Sequence, residues 1–195
     1  MLILGGDRIT QSALNSLELN SESLLVVIDR STTLKRVIRL IFRKRLSVLL
    51  VLKMLICEYK RSNRSVSQSN FSAIKNNKDL LEAIDSYKPE KILLFRAGLV
   101  INKEVISRGI PLLNIHCAKV PEYGGLGSID RALRDNAVEQ NATLHQVTTT
   151  IDEGIVVEVE PFVLDTKRSY CYNENIAYEA GLKLLFRCVK SSVSG

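Results

Sequence analysis

Residues 112–127 read Leu112-Leu113-Asn114-Ile115-His116-Cys117-Ala118-Lys119-Val120-Pro121-Glu122-Tyr123-Gly124-Gly125-Leu126-Gly127. The first five residues are a mostly apolar strand. The rest is a loop carrying one proline and three glycines. Upstream, Ile92-Leu93-Leu94-Phe95, Leu24-Leu25-Val26-Val27-Ile28 and residues 2–5 are apolar throughout, the pattern of parallel strands covered on both faces. Between them lie helical periods. One spans 8–18, with Ile9, Ala13, Leu14 and Leu17, and another runs from Thr33 to about Tyr59, broken near Lys44–Ser47. Further helices cover Asp79 to Tyr87 and 102–108. Residues 61–70 read as a loop. Beyond the quoted stretch, the pattern predicts a helix over 128–138, strands over 142–150 and 155–164, and a last helix over 173–190. This alternation implies an α/β fold, with a mostly parallel central sheet flanked by helices.

The chain has 195 residues, 46% hydrophobic and 25% charged. That is enough for one well-buried domain over 1–195 and short for two. Net charge is +6, but residues 35–64 hold ten Lys/Arg and one Glu. The basic excess is therefore local, and the rest of the chain is slightly acidic. The longest apolar run, Leu46 to Leu52, ends at Lys53 and is too short to span a bilayer. The N-terminus reads as a first strand rather than a signal peptide. Four widely spaced cysteines, Cys57, Cys117, Cys171 and Cys188, show no metal-ligand spacing. They predict reduced thiols in a cytoplasmic protein and no metal site.

Asn114 and His116 are two apart on a strand and share a face. The carboxyl end of that strand is where open α/β sheets bind ligands. An amide and a protonated imidazole there suit a developing oxyanion. Asp152, in the turn Ile151-Asp152-Glu153-Gly154, is the candidate carboxylate to charge His116 or relay a proton. The alternative is that Asn114 caps a loop and His116 is a satisfied structural histidine. Cys117 faces the other way and reads as a packed thiol.

Leu113 to Gly125 resembles the N-I-H-P-S-L-L-P-x-Y-R-G signature of folate-dependent formyltransferases. Ala142-Thr143-Leu144-His145-Gln146-Val147 is similar to that family's T-V-H-x-V strand, and Ile151-Asp152-Glu153-Gly154 to its D-x-G turn. The resemblance covers roughly residues 90–165. It implies a Rossmann-like catalytic core, N10-formyltetrahydrofolate as co-substrate and transfer of a formyl group to an amine. Asn114, His116 and Asp152 are then catalytic. Phe95, Arg96, Ala97, Gly98 and Leu99, with Thr149, Thr150 and Ile151, hold the folate. Pro121, Tyr123, Gly124 and Gly125 form the substrate loop. His145 is a supporting residue.

Among acceptors, the resemblance points to a nucleotide-linked amino sugar for surface polysaccharide such as lipopolysaccharide O-antigen. A methionyl-tRNA acceptor is disfavoured by the absence of an RNA-binding domain, and no nucleic acid is expected. Glycinamide ribonucleotide is disfavoured because Asp7 stands in Gly5-Gly6-Asp7-Arg8, where a phosphate is expected. Another small amine is the lesser alternative, and a homodimer is expected to be compatible with the chain. A reading of another class is a non-catalytic protein of this fold that docks on membrane or nucleic acid through residues 35–64.

Overall fold

The computed structural model describes residues 1–17, 24–61 and 71–193. Most of the predicted 61–70 loop therefore lies outside the described residues. The elements, in order, are β1 (Leu2–Leu4), α1 (Arg8–Ser16), β2 (Val26–Asp29), α2 (Leu34–Phe42), α3 (Val48–Lys60), β3 (Ser72–Ile74) and α4 (Asn77–Tyr87). There follow β4 (Ile92–Phe95), α5 (Lys103–Ile106), β5 (Leu112–His116), α6 (Ser128–Arg134), β6 (Glu139–Gln146), β7 (Val156–Val163) and α7 (Tyr170–Val193). The strands form one sheet in the order β3-β2-β1-β4-β5-β6-β7. The first five run parallel, while β6 and β7 pair antiparallel. This is the mostly parallel α/β sheet that the apolar strands imply.

Alternate residues of each parallel strand enter opposite faces of the sheet. Leu2, Leu4, Val26, Ile28, Phe95 and Ile115 join one core with α1 and α7. Ile3, Val27, Ile92, Leu94 and Leu112 join a second core under α4. All of these are nearly or fully buried. Helix α7 crosses its face so closely that a Cβ on Gly181 would stand 2.7 Å from Cys117 Sγ and 3.0 Å from the Phe95 ring. The absence of a side chain there lets the helix seat on the sheet.

Local chemistry sets the helix limits. Asp7, Thr33, Ser47, Asn76 and Asn102 each cap a helix through their side chains, supplying an acceptor to amides that have none within the helix. The Ser47 cap restarts the chain after α2, which is the break foreseen near 44–47. Helix α6 is shorter than expected. Asn136 adopts a left-handed conformation at φ 53°, and Ala137 N–H returns to the Ala132 carbonyl, closing the helix. Strand β3 was not foreseen: it has three residues, two of them exposed, too few for a period.

Two of the four cysteines depart from the reduced-thiol expectation. Cys57 on α3 and Cys171 on α7 form a disulfide across 114 residues of sequence. Their separation in sequence carries no pairing signal; the packing of α3 on α7 brings them together. Cys117 and Cys188 are free. Beside the disulfide lies a buried polar cluster. Glu174 is 2% exposed, accepts from Tyr170 and Tyr178 hydroxyls at 2.8 Å each, and is paired with Arg61. Two cations, Arg61 and Arg96, lie over the Tyr178 ring, at 4.9 and 4.0 Å from its centroid.

Candidate active site

At the carboxyl end of β5, Asn114 and His116 emerge on one face, as the two-residue spacing requires. Antiparallel β6 places His145 directly opposite Asn114. The turn after β6 brings in Asp152, whose φ of 55° is left-handed, a conformation Asp and Asn tolerate better than most residues. Gly154 completes this turn, since a Cβ there would stand 1.8 Å from the Gln146 carbonyl oxygen. The predicted catalytic residues are thus brought together from a strand and a distant turn.

Asp152 is the hub. Its Oδ2 accepts from Gly125 N–H at 2.7 Å and faces His116 Nδ1 at 3.4 Å. Its Oδ1 stands 3.4 Å from Asn114 Nδ2 and 3.4 Å from His145 Nε2. His145 Nδ1 lies 2.9 Å from the Gln146 carbonyl, which calls for a proton on Nδ1. Its Nε2 lies between Asn114 Nδ2 at 3.1 Å and Asp152 Oδ1 at 3.4 Å, accepting from the amide when the ring is neutral and donating to the carboxylate when it is protonated. His145 therefore fixes the Asn114 amide. Both amide hydrogens point inward at rest, and the long contact to Asp152 is the weaker one, the one most readily given up to an incoming oxygen.

His116 Nε2 lies 3.0 Å from the Tyr123 carbonyl. Both ring nitrogens thus face acceptors, so either neutral tautomer leaves one nitrogen opposite an acceptor with no proton between them. Burial nevertheless pulls the His116 pKa below its ordinary 6.5, with Asp152 opposing and His145 and Arg131 adding to the fall. Burial thus works against the expected imidazolium, while Asp152 and the Tyr123 carbonyl favour it. The ring is poised to hold a proton when negative charge grows beside it. Burial would raise the Asp152 carboxyl, but contacts with His145, His116 and the Gly125 amide outweigh it and hold its pKa at about 2.

Both shifts are downward, so both make the fold acid-sensitive. The unfolded chain binds the extra proton first. The His116 contribution is complete above pH 6.5 and is lost as pH falls below it. The Asp152 contribution is complete above about pH 4 and is lost towards pH 2, amounting to about 2 kcal/mol. Thermal melts are expected to fall in two stages on acidification, and Asp152→Asn to shrink the lower stage, to which Asp7 also contributes.

The substrate loop folds against this hub. A Cβ on Gly124 would stand 3.0 Å from Asp152 Cβ, and Gly125 has a φ of 77°. Glycine at both positions is what lets the loop amide reach the carboxylate. Pro121 is exposed and follows a cis peptide. The Tyr123 hydroxyl reaches Asp135 at 3.3 Å. Arg131 of α6 was not foreseen. It donates to the Gly124 carbonyl and lies over the Tyr123 ring, 5.9 Å from its centroid. Its position in the first turn of α6, just after Gly127, was the available signal.

The residues expected to hold folate divide. The Phe95 side chain is fully buried and belongs to the core, so only its backbone faces the turn. Arg96, at φ 58°, folds inward. It donates to Asp7 at 2.8 Å and to the Tyr178 hydroxyl at 2.6 Å, and its pKa is raised despite burial because Tyr178 and Asp7 surround it. It is neither a surface charge nor aimed at a ligand. Asp29 grips the following turn, accepting from Gly98 N–H at 2.5 Å and Leu99 N–H at 2.8 Å. Ala97 and Leu99 pack on the second core beside Ile106, Ile110 and Val147. A cavity of about 290 Å³ is lined by Ile106, Ile110, Leu112, Leu113, Gln146 and Val147 among others; none of the residues expected to hold folate is among its lining. Thr149, Thr150 and Ile151 are exposed on the loop leading to Asp152. Cys117 is buried and its thiol is pushed up to about 12, as befits a packed thiol.

An imidazole, an amide and an ionised carboxylate in contact at a strand end can receive charge on an oxygen and pass a proton between two nitrogens. Known proteins resemble this chain in sequence and in fold. A Hydrogenobaculum methionyl-tRNA formyltransferase is 30% identical over 119 residues, covering 60% of this chain and 39% of its own length. A formyltetrahydrofolate deformylase of Haemophilus influenzae is 28% identical over 118 residues, covering 60% of this chain and 41% of its own. The chain thus spans about two fifths of these relatives. In fold, a sugar N-formyltransferase-like protein of Mycobacterium tuberculosis superposes with a TM-score of 0.67 at 11% identity, covering 100% of this chain and 67% of that one. Phosphoribosylglycinamide formyltransferase of Streptococcus pneumoniae superposes at 0.61 and 15% identity, covering 97% of both chains. The formyl transferase family model matches residues 54–187, more than two thirds of the chain and every element that builds the Asn114–His116–Asp152 cluster. The chain belongs to the formyl transferase family.

Proposed function

We propose that the protein is an N-formyltransferase that moves a formyl group from N10-formyltetrahydrofolate to the amino group of a nucleotide-linked amino sugar. The observation that carries formyl transfer is the contact of Asn114, His116 and Asp152 with His145 behind them. When bound, the folate supplies the formyl carbon that the neutral amine attacks. His116 and Asn114 face the carbonyl oxygen as its charge grows, and His116 gains basicity there. Asp152 is ionised at rest, holds His116 in place and relays the proton that the attacking amine loses. That proton then passes to the departing folate nitrogen. The cavity lined by Ile106, Ile110, Leu113 and Val147, about 290 Å³, is close to the ~300 Å³ at which ordinary ligand pockets begin and is the place proposed for the folate ring.

The acceptor reading rests on the start of α1. Asp7 accepts from Thr10 N–H at 3.0 Å and pairs with half-buried Arg96. A carboxylate with its own counter-ion thus already occupies the amide end of the helix, where a phosphate would bind. This disfavours a ribonucleotide amine seated there.

The test is to supply N10-formyltetrahydrofolate with a panel of nucleotide-linked amino sugars, with glycinamide ribonucleotide, and with no amine. Folate release and acceptor mass are followed together. Formylated amino sugar is expected. Release without any amine would mean that water is the acceptor, and no release in any arm would overturn the reading.

A further inference from the structure

Helix α3 leaves one whole side uncovered. Val48, Leu49, Leu52, Leu55, Ile56 and Tyr59 are each between 50 and 82% exposed. At 3.6 residues per turn they fall within one arc of about 120°, and no charged residue lies inside it. Helix α2 has no buried residue at all. Its Leu34, Ile38 and Phe42 are 75, 43 and 84% exposed and form one stripe at i, i+4, i+8. Lys35, Arg36, Arg39 and Arg43 occupy the adjoining arc.

The exposed side of α3 cannot turn inward. Its opposite side is fastened by buried Leu50 and by the Cys57–Cys171 disulfide. Lys53 pairs with Asp130 at 3.0 Å. The Arg8 amide donates to Glu58 at 2.7 Å, and the Arg8 guanidinium to the Tyr59 carbonyl at 2.7 Å. The apolar side is therefore a fixed feature of the surface. It is larger than the scattered exposed apolar residues of an ordinary monomer.

Charge selects the occupant. From Arg30 to Cys57 the sequence holds eight Lys/Arg and no Asp or Glu. A second copy of this chain would bring two such cationic sets together, which like-charge repulsion opposes. A surface that is both apolar and anionic satisfies both parts. No helix among the described residues is long and apolar enough to cross a membrane, so the contact is interfacial rather than spanning. We infer that α2 and α3 dock on an anionic phospholipid bilayer, with the apolar side of α3 in the acyl boundary and the α2 cations among the headgroups.

The test is co-sedimentation of the whole chain with vesicles of phosphatidylcholine alone and of phosphatidylcholine with phosphatidylglycerol. Binding to the anionic vesicles is expected, falling as salt is raised. Each cation near such a surface contributes roughly fivefold, so Arg39→Glu with Arg43→Glu is expected to weaken binding at least about 30-fold. Leu52→Ser, Leu55→Ser and Ile56→Ser together are expected to abolish it, with the far-ultraviolet circular dichroism of the chain unchanged. Should the serine variant fail to fold, the salt and lipid dependence of the unaltered chain decides. Equal binding to both vesicles, or binding to neither, would overturn the inference. So would a concentration-dependent dimer, by ultracentrifugation, that the same substitutions dissociate.

Discussion

Asp152→Asn is expected to lower kcat/KM for formyl transfer by about 10³-fold, within the range that a positioned acid–base group contributes. Asparagine keeps the shape and tolerates the left-handed backbone at this position. It also keeps one oxygen to accept from Gly125. What it removes is the charge. That charge faces His116 at 3.4 Å and works against the burial that depresses the imidazole. Without it, His116 loses basicity just where negative charge must be met, and the attacking amine loses its proton acceptor. The loss is expected in kcat rather than KM, because Asp152 does not line the cavity proposed for the folate ring. His116→Ala is expected to cost about as much. The double variant is expected to be little worse than either, since groups that act as a unit are not additive. A stopped assay of folate release, with circular dichroism as a control for folding, checks all three. A near-normal rate in either single variant would remove that residue from the chemistry.

The second large effect concerns stability. Cys57→Ser is expected to lower the unfolding free energy by about 3–5 kcal/mol, because the disulfide closes a loop of more than a hundred residues in the unfolded chain. The bridge also ties α3 to α7 beside the Arg61–Glu174 pair, so loosening it exposes a buried carboxylate to the loss of its partner. Urea titrations with and without reductant measure the effect. Reduction of the natural chain is expected to match the Cys57→Ser variant. An unchanged midpoint would show that the bridge contributes nothing to folding. Such bonds persist chiefly in oxidising surroundings, so reductant is the relevant variable in any handling of the protein.

The two predictions differ in how much of their basis the sequence displays. The shared face of Asn114 and His116 is legible because the period of a strand is exact, but it is the resemblance to a known signature that singles the pair out. Asp152 is legible only through its turn and its resemblance to a known signature. The contact of His145 with Asn114 is created by antiparallel pairing of β5 and β6, which the chain order does not declare. The parallel strands β1, β2, β4 and β5 announce themselves as apolar runs. Strand β3 does not, because it lies at the sheet edge with a single buried residue. Arg96 shows the limit most plainly. A basic residue after a strand reads as a ligand contact, yet a left-handed backbone swings it to Asp7 and Tyr178. The Cys57–Cys171 pair is of the same kind: it is a property of how two helices pack, not of where two cysteines stand in the chain.

The grip of Asp29 on the turn after β4 has a consequence for recognition. With the Gly98 and Leu99 amides already donated to one carboxylate, that stretch offers a ligand carbonyl oxygens rather than N–H groups. Its hydrogen-bonding polarity is set before any ligand arrives. A molecule seated there is read through the donors it carries, such as amino groups and protonated ring nitrogens, and one that presents only acceptors meets lone pairs. For the folate proposed to lie against this turn, selection then works by mismatch as much as by fit, and it comes from a residue at the end of another strand.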